Sequence, residues 1–239
     1  MTDPTPPLVP RRFEVDGARG LRYVELSPGT REKLAEWLRA GSVAGGEELK
    51  PGRVYRWEDW VVKLFDFGGM LRDHLRPSLA VRSARRHAQL QAMGTPRPIA
   101  TLERPRGRSL MVLERIDGPF LHEVIARGED AAVAAFPAFM ADMHRRRVFH
   151  GDLHLYQMIW GGARWFLLDL DGLRHRLRTL RVRPLIEDQW ARLYFGLGHS
   201  EVVPTMFRRY LGLARPDPRR AASWERVLER ERWLRELRA

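Results

Sequence analysis

Two aspartates follow short apolar segments in the second half of this 239-residue chain. Asp152 lies in HGDLHLYQ, where Gly151 permits a tight loop, and Asp169 comes 17 positions later, after the apolar residues 165–168. Phosphoryl transfer needs two such carboxylates. One accepts or orients the proton of the acceptor hydroxyl, and the other holds the magnesium that neutralises the nucleotide phosphates. Either aspartate alone would indicate only a turn, but the two together favour phosphoryl transfer.

The sequence HGDLH at 150–154 resembles the catalytic loop of the protein-kinase superfamily, in the bacterial small-molecule form where it replaces the HRDLK of protein kinases. Lys63, in the strand-like run WVVKLF, matches the kinase lysine that binds the α- and β-phosphates of ATP. Lysine is rare in this chain, with Lys33 and Lys50 as the other two among 42 basic residues. A compact ammonium reaches buried phosphates better than a guanidinium, although a lysine on an exposed edge strand remains the alternative.

A closer resemblance, over roughly residues 51–213, is to the lipopolysaccharide core kinases, which phosphorylate Kdo or heptose. Five segments carry it: KPGRVYRWEDWVVKLF, AMGTPRPIATLER before SLMVLERIDG, HGDLHLYQMIW, FLLDLDGLR and EDQWARLYFGL. The resemblance implies an α+β, protein-kinase-like fold with two lobes, a small β-rich N-lobe and a mostly helical C-lobe. It also implies ATP and Mg²⁺ (or Mn²⁺) as cofactors.

The same resemblance implies a role for each matching residue. Lys63 would bind phosphate, Asp152 would be the catalytic base, and Asp169 would bind magnesium. Backbone groups around Glu114–Ile116 would receive the adenine. Asp171, where protein kinases have the glycine of DFG, would support the metal or an acceptor hydroxyl.

The chain departs from the kinase pattern in two places. Gln157 replaces the metal-binding asparagine of the catalytic loop, and its amide oxygen lies one methylene further out. No glutamate occurs between Asp59 and Leu102 to pair with Lys63, so we expect Asp169 to lie within about 4 Å of the Lys63 ammonium. Because of these departures, an inactive pseudokinase remains an alternative. They also lead us to expect manganese to be at least as effective as magnesium.

The glycine-rich phosphate loop has two candidate positions. Gly45 and Gly46 lie about 17 residues before Lys63, and Gly52, after Pro51, directly precedes the next predicted strand. Glycines without side chains let backbone amides approach phosphates closely, so all three are candidate nucleotide-binding residues.

The elements that must position these residues are mostly strands in the first half of the chain and helices in the second. We expect a disordered tail over 1–12, an N-lobe over 13–116 and a C-lobe over 117–239, the lobes closing on a ligand. The predicted N-lobe elements are a hairpin turning at Asp16-Gly17, a helix capped by Thr30 and ended by Gly41, strands VYRW, WVVKLF and SLMVLERI, and a helix over 77–93. The C-lobe has predicted helices LHEVIARG and DAAVAAFPAFMADMHRRR, short strands around the two aspartates, and helix from Leu185 onward.

Composition limits the chemistry and the partners. The chain has no cysteine, which excludes disulfides, thiolate metal sites and cysteine nucleophiles and favours the reducing cytoplasm. It has no apolar run of about 18 residues and no secretory signal. The net charge of +12 favours a polyanionic partner or merely reflects solvated arginine–glutamate faces. Near the predicted site lie two groups of arginines, Arg145–Arg147 and Arg174, Arg176 and Arg178, which would form a ring that neutralises an anionic acceptor.

These observations predict an ATP-dependent kinase for a sugar hydroxyl of a lipopolysaccharide-core-like acceptor. The substrate would be an anionic sugar or glycolipid, met at the cytoplasmic face of the inner membrane through a peripheral contact with its anionic surface. The alternatives are a kinase for protein Ser/Thr or another small molecule, and a pseudokinase that binds nucleotide or a partner. A nucleic-acid-binding protein is supported by net charge alone, without a recognition motif. A zinc site at His144, His150 and His154 is disfavoured because Gly151-Asp152 disrupts the helical spacing it needs, and we expect His150 to brace the loop instead.

Overall fold

The computed structural model of the chain describes residues 8–66, 77–104, 107–170, 173–175, 182–214 and 222–236. Contacts divide the chain into two compact units, Met1–Arg115 and Ile116–Ala239. None of the helices in the described ranges is long and apolar enough to cross a membrane.

The first unit is built on one antiparallel sheet. Its strands in the described ranges are β1 Arg11–Val15, β2 Ala18–Arg22, β3 Glu47–Lys50, β4 Val54–Trp57, β5 Trp60–Phe65, β6 Pro98–Glu103 and β7 Ser109–Glu114. They follow the spatial order β1-β2-β6-β7-β5-β4-β3, so β5 and β7 are interior strands that pair with each other. The β1–β2 hairpin turns at Asp16 and Gly17, both with positive φ, as the sequence predicts.

Two helices of the first unit, α1 Pro28–Ala40 and α2 Leu79–Gly94, pack against different sets of strand residues. Leu110 and Val112 of β7 join the cluster that contains the buried face of α1, whereas Met111 and Leu113 pack with α2. Alternate residues of a strand face opposite sides, so α1 and α2 cover opposite faces of the sheet. This explains why most of β7 is buried.

The second unit is mostly helical. Its helices in the described ranges are α3 Leu121–Arg127, α4 Asp130–Arg145, α5 Arg183–Gly196, α6 Val202–Ala214 and α7 Trp224–Glu236. Short strands form two antiparallel pairs, β8 Val148–His150 with β11 Leu173–His175, and β9 Met158–Trp160 with β10 Trp165–Leu167. Aromatic rings in edge-on contact fill the core, with Phe136 against both Trp165 and Trp190, and Trp190 against Phe207.

The predicted α+β class is confirmed, with a sheet-rich first unit and a mostly helical second unit. Three local predictions need correction. The tail predicted over 1–12 overlaps β1, because Arg11 and Arg12 pair with β2. The helix α1 is capped by Ser27, whose hydroxyl accepts the N–H of Thr30 at 3.1 Å, so Thr30 is not the cap. The strands β3, β6 and β11 were not predicted.

Candidate active site

Lys63 lies in the interior of the first unit's sheet. It pairs with Val54 on β4 and with Met111 on β7, and its side chain is half-buried. Its neighbours Val62 and Leu64 face α1, so Lys63 lies on the sheet face that α2 covers. The alternative of a lysine on an exposed edge strand is therefore wrong, and its role in binding phosphate stays a prediction.

The helix α2, which follows Lys63 in the sequence, buries polar side chains but carries no carboxylate. Ser83 and His87 lie among its buried residues, and the His87 carbonyl accepts the Thr95 hydroxyl at 2.9 Å. The glutamate that would pair with Lys63 in a protein kinase thus has no acidic counterpart on this helix.

The candidate glycines lie in two different loops of the first unit. Gly52 sits in the short turn 51–53 between β3 and β4, with φ of 62°, and a Cβ there would meet nothing within 4 Å. Gly45 and Gly46 precede β3, and the Gly46 N–H donates to the Val43 carbonyl at 3.0 Å. The hairpin that leads to the Lys63 strand therefore contains Gly52, and its three-residue turn is shorter than the G-x-G-x-x-G loop of protein kinases.

The segment predicted to receive adenine begins at the end of β7. The Glu114 N–H donates to the Arg97 carbonyl at 2.9 Å, and the Glu114 carboxylate lies 3.3 Å from Arg97 Nε. The Arg115 N–H donates to the Asp59 carbonyl at 2.8 Å. Two backbone donors of this segment thus have protein acceptors, and the binding of adenine by Glu114–Ile116 stays a prediction.

His150 holds the predicted catalytic loop of the second unit. Its Nε2 lies 2.8 Å from the Asp169 carbonyl, and its Nδ1 accepts the Asp152 N–H at 3.3 Å. One tautomer satisfies both contacts, a neutral ring that carries its proton on Nε2. Burial lowers the pKa of His150, against the opposing effects of Asp169 and Asp152, and so favours this neutral form. The predicted bracing role of His150 is confirmed, and the loop of Asp152 is tied to the segment of Asp169.

The Asp152 carboxylate is exposed to solvent and contacts an arginine and a histidine side chain. Its Oδ1 lies 3.0 Å from Arg192 Nη1, and its Oδ2 lies 2.9 Å from His154 Nε2. The side chain is 62% exposed, so an acceptor hydroxyl has access to it. Arg192, on α5, also binds Asp188 at 2.9 Å. The sequence-based prediction did not include Arg192 or Asp188.

The predicted metal ligands differ in availability. Gln157 Oε1 accepts the His154 N–H at 2.8 Å, closing the 3-10 turn Leu155–Gln157, so the amide oxygen serves as a cap. The role of Gln157 in metal binding stays a prediction, and it leaves the second lone pair of this oxygen for the ion. Asp169 is half-buried two residues after the end of β10, whereas Asp171 lies outside the described residues. Magnesium commonly binds through one or two carboxylates plus substrate phosphates, so Asp169 fits the ion.

Three buried side chains form a chain of hydrogen bonds that ends at the backbone of the catalytic loop. The sequence-based prediction missed their roles. Gln189 Nε2 donates to the His150 carbonyl at 3.1 Å, and Gln189 Oε1 lies 2.6 Å from His144 Nε2. His144 Nδ1 lies 2.9 Å from the Tyr210 hydroxyl. Burial lowers the pKa of His144 to about 4, although its hydrogen bond with Gln189 acts in the opposite direction. Burial also raises the pKa of Tyr210. The neutral imidazole therefore donates to Gln189 and accepts from Tyr210.

The three histidines of the zinc alternative bind different partners. His144 bonds in the core, His150 braces the loop and His154 contacts Asp152. In the part of the chain that the structure describes, no group of three potential ligands could hold a metal ion. The zinc alternative therefore has no structural support.

Of the arginines near the predicted site, two already have a carboxylate partner. Arg145 and Arg146 both contact Asp142 on α4, at 3.4 and 2.7 Å. Arg176 and Arg178 lie outside the described residues. The proposed ring of arginines around an anionic acceptor thus stays a prediction.

Comparison with known proteins gives structural likenesses without a sequence match. No protein-family profile matches the chain, and no curated protein matches it. Among solved structures it is similar to a divergent kinase lacking the glycine-rich loop, which regulates the membrane ultrastructure of the Toxoplasma parasitophorous vacuole. The identity is 13%, the match covers 71% of this chain and 67% of that chain, and the TM-score is 0.44. A likeness this low carries no argument about activity.

Proposed function

We propose that this protein is an ATP- and magnesium-dependent phosphotransferase that phosphorylates a hydroxyl of an anionic sugar of the lipopolysaccharide-core type. One observation carries the proposal: His150 ties the loop of the exposed Asp152 to the backbone of Asp169. A phosphotransferase must hold its base and its metal-binding carboxylate at fixed positions relative to each other, because misplacement by about 1 Å costs on the order of a hundredfold in rate.

Asp152, Asp169 and Lys63 each have a separate role in the proposed reaction. Asp152 accepts the proton of the acceptor hydroxyl as that oxygen attacks the γ-phosphorus. Asp169 and the nucleotide phosphates would hold the magnesium, which supplies neutralisation of the phosphate charge when bound. Lys63, on the strand β5, would bind the nucleotide phosphates as a point charge. Gln189 and His144 keep the loop backbone in place through the His150 carbonyl.

An exposed aromatic side chain on the catalytic loop supports a sugar as the acceptor. Tyr156 is 66% exposed, although its ring contacts His122 edge-on at 4.9 Å and Phe120 at 5.8 Å. These contacts fix the orientation of a flat surface four residues after Asp152. Ligand sites use aromatic rings to hold apolar faces, and the C–H face of a sugar ring is such a surface.

The net charge of +12 supports an anionic acceptor, including one carried by a membrane lipid. A cationic protein is drawn to an anionic leaflet without inserting into it, and this attraction weakens as salt rises. We therefore place the proposed reaction at the cytoplasmic surface of the inner membrane.

A pseudokinase is the second candidate, favoured by the occupied oxygen of Gln157. Because that oxygen accepts the His154 N–H, only its second lone pair is left for a metal in this arrangement. The short turn around Gly52 and the absence of a carboxylate on α2 point the same way. Under this reading the protein would bind nucleotide or a partner without transferring phosphate.

Transfer of labelled phosphate from ATP distinguishes these candidates. The purified protein would be incubated with Mg²⁺ or Mn²⁺ and one of three acceptors: a Kdo-containing lipid, a neutral sugar, or a protein rich in Ser and Thr. We expect label on the Kdo lipid, lost in Asp152→Asn but kept in the control Asp142→Asn, whose carboxylate also binds arginines. Label on protein or on the neutral sugar alone would make this a different kinase. Nucleotide binding without transfer to any acceptor would favour the pseudokinase.

A further inference from the structure

The two oxygens of the Asp152 carboxylate have different partners. Arg192 Nη1 lies 3.0 Å from Oδ1, and His154 Nε2 lies 2.9 Å from Oδ2. A general base must present one oxygen to the incoming hydroxyl at hydrogen-bond distance. The exposed carboxylate can therefore receive the hydroxyl at one oxygen while the partner of the other oxygen holds it in place.

Arg192 is the better fixed of the two. Its Nε binds Asp188 Oδ2 at 2.9 Å, one helical turn earlier on α5, and both side chains are only 20% exposed. The planar guanidinium thus spans two carboxylates, and Asp188 aims its outer nitrogen at Asp152. The His154 side chain is 44% exposed.

We infer that Arg192 is a positioning residue for the proposed general base, and that Asp188 positions Arg192 in turn; this inference rests on the proposed function. Arg192 holds Oδ1 and so sets the plane of the Asp152 carboxylate. The acceptor hydroxyl then takes the place of the His154 ring at Oδ2. As the hydroxyl oxygen bonds to the γ-phosphorus, the bond to ADP breaks and the hydroxyl proton passes to Oδ2. Asp152 later releases that proton to water.

Steady-state kinetics test this role. In Arg192→Gln, we expect kcat to fall by about 10- to 100-fold, because a loosened carboxylate spends less time in the reactive orientation. The KM values for ATP and acceptor should stay within about threefold, because Arg192 acts through Asp152 rather than on a substrate. Arg192→Lys should recover part of kcat, and guanidinium ion below denaturing concentration should partly rescue Arg192→Ala.

A double-mutant cycle tests the part played by Asp188. We expect Asp188→Asn alone to lower kcat by about 3- to 10-fold, and the double variant with Arg192→Gln to be no slower than Arg192→Gln itself. Arg104→Gln and Asp16→Asn are the matched controls, since Arg104 and Asp16 form an arginine–aspartate pair at 3.0 Å in the first unit and have no proposed role in the reaction. Both controls should keep the parental kcat. Circular dichroism and thermal unfolding would establish that each variant is folded.

Several results would overturn the inference. A parental kcat in Arg192→Gln, or fully additive losses in the double-mutant cycle, would remove the positioning role. A higher acceptor KM at unchanged kcat would make Arg192 an acceptor-binding residue instead. If Asp152→Asn itself turns over at the parental rate, the proposed function fails and the role of Arg192 fails with it. If instead Asp152→Asn is inactive while the Arg192 variants keep the parental kcat, as the controls do, only the role of Arg192 fails.

Discussion

Acidification should destabilise the second unit through His144. In the folded protein burial lowers the pKa of His144 from 6.5 to about 4. Between these values the unfolded chain takes up a proton that the folded core does not, so the free energy of unfolding falls as pH falls. Above pH 6.5 the stabilising effect is fully present, and it is lost progressively down to about pH 4. One pKa unit corresponds to about 1.4 kcal/mol, so the total loss is about 3 kcal/mol.

The comparison of the parent with His144→Gln isolates this contribution. A glutamine can still donate to Gln189 but does not titrate. Urea unfolding would be followed at about pH 7 and about pH 4.5, where we expect the parent to lose about 2 kcal/mol more than the variant. His150, whose pKa burial also lowers, is present in both proteins, so its effect cancels. An equal loss in parent and variant would refute a buried, neutral His144.

Further predictions concern the metal and the acceptor. In Asp169→Asn, magnesium-dependent turnover should disappear while circular dichroism stays unchanged, because the amide lacks the charge that holds the cation; parental ATP turnover would refute the metal role. Gln157→Asn should keep or raise activity with magnesium by restoring the shorter ligand, and a loss of activity would show that capping of the His154 N–H matters more. Tyr156→Ala should raise the acceptor KM about 10-fold while Tyr156→Phe does not, if the ring binds the sugar face; equal KM values in both variants would contradict this.

Much of the fold could be predicted because apolar periodicity and turn residues agree locally. The strands VYRW and WVVKLF lie where the sequence predicts them, and Gly41 ends α1 in the left-handed conformation, with φ of 72°. The strand β3 was not predicted because all four residues of EELK are exposed, so no apolar pattern marks it as a strand. The strand β6 begins at Pro98, directly after a segment that proline marks as a break.

The candidate site could be predicted only where a side chain belongs to a motif. Asp152, Asp169 and Lys63 stand in short recognisable runs, and the bracing role of His150 followed from the loop around Gly151. Gln189 and Arg192 lie on a helix that also buries Glu187, so its polar and apolar residues do not separate into two faces. Their contacts with the catalytic loop span 39 and 40 residues of sequence, which no local pattern reveals.

The most direct test of the central claim is phosphoryl transfer by Asp152→Asn, measured beside its nucleotide affinity. The account predicts that transfer to the acceptor falls by at least about a hundredfold, the scale of losing a positioned general base, while ATP affinity stays within a few-fold. Asp142→Asn, the control carboxylate on α4, should transfer at the parental rate. Parental transfer by Asp152→Asn, or a loss of ATP binding as large as the loss of transfer, would contradict the assignment of Asp152 as the base.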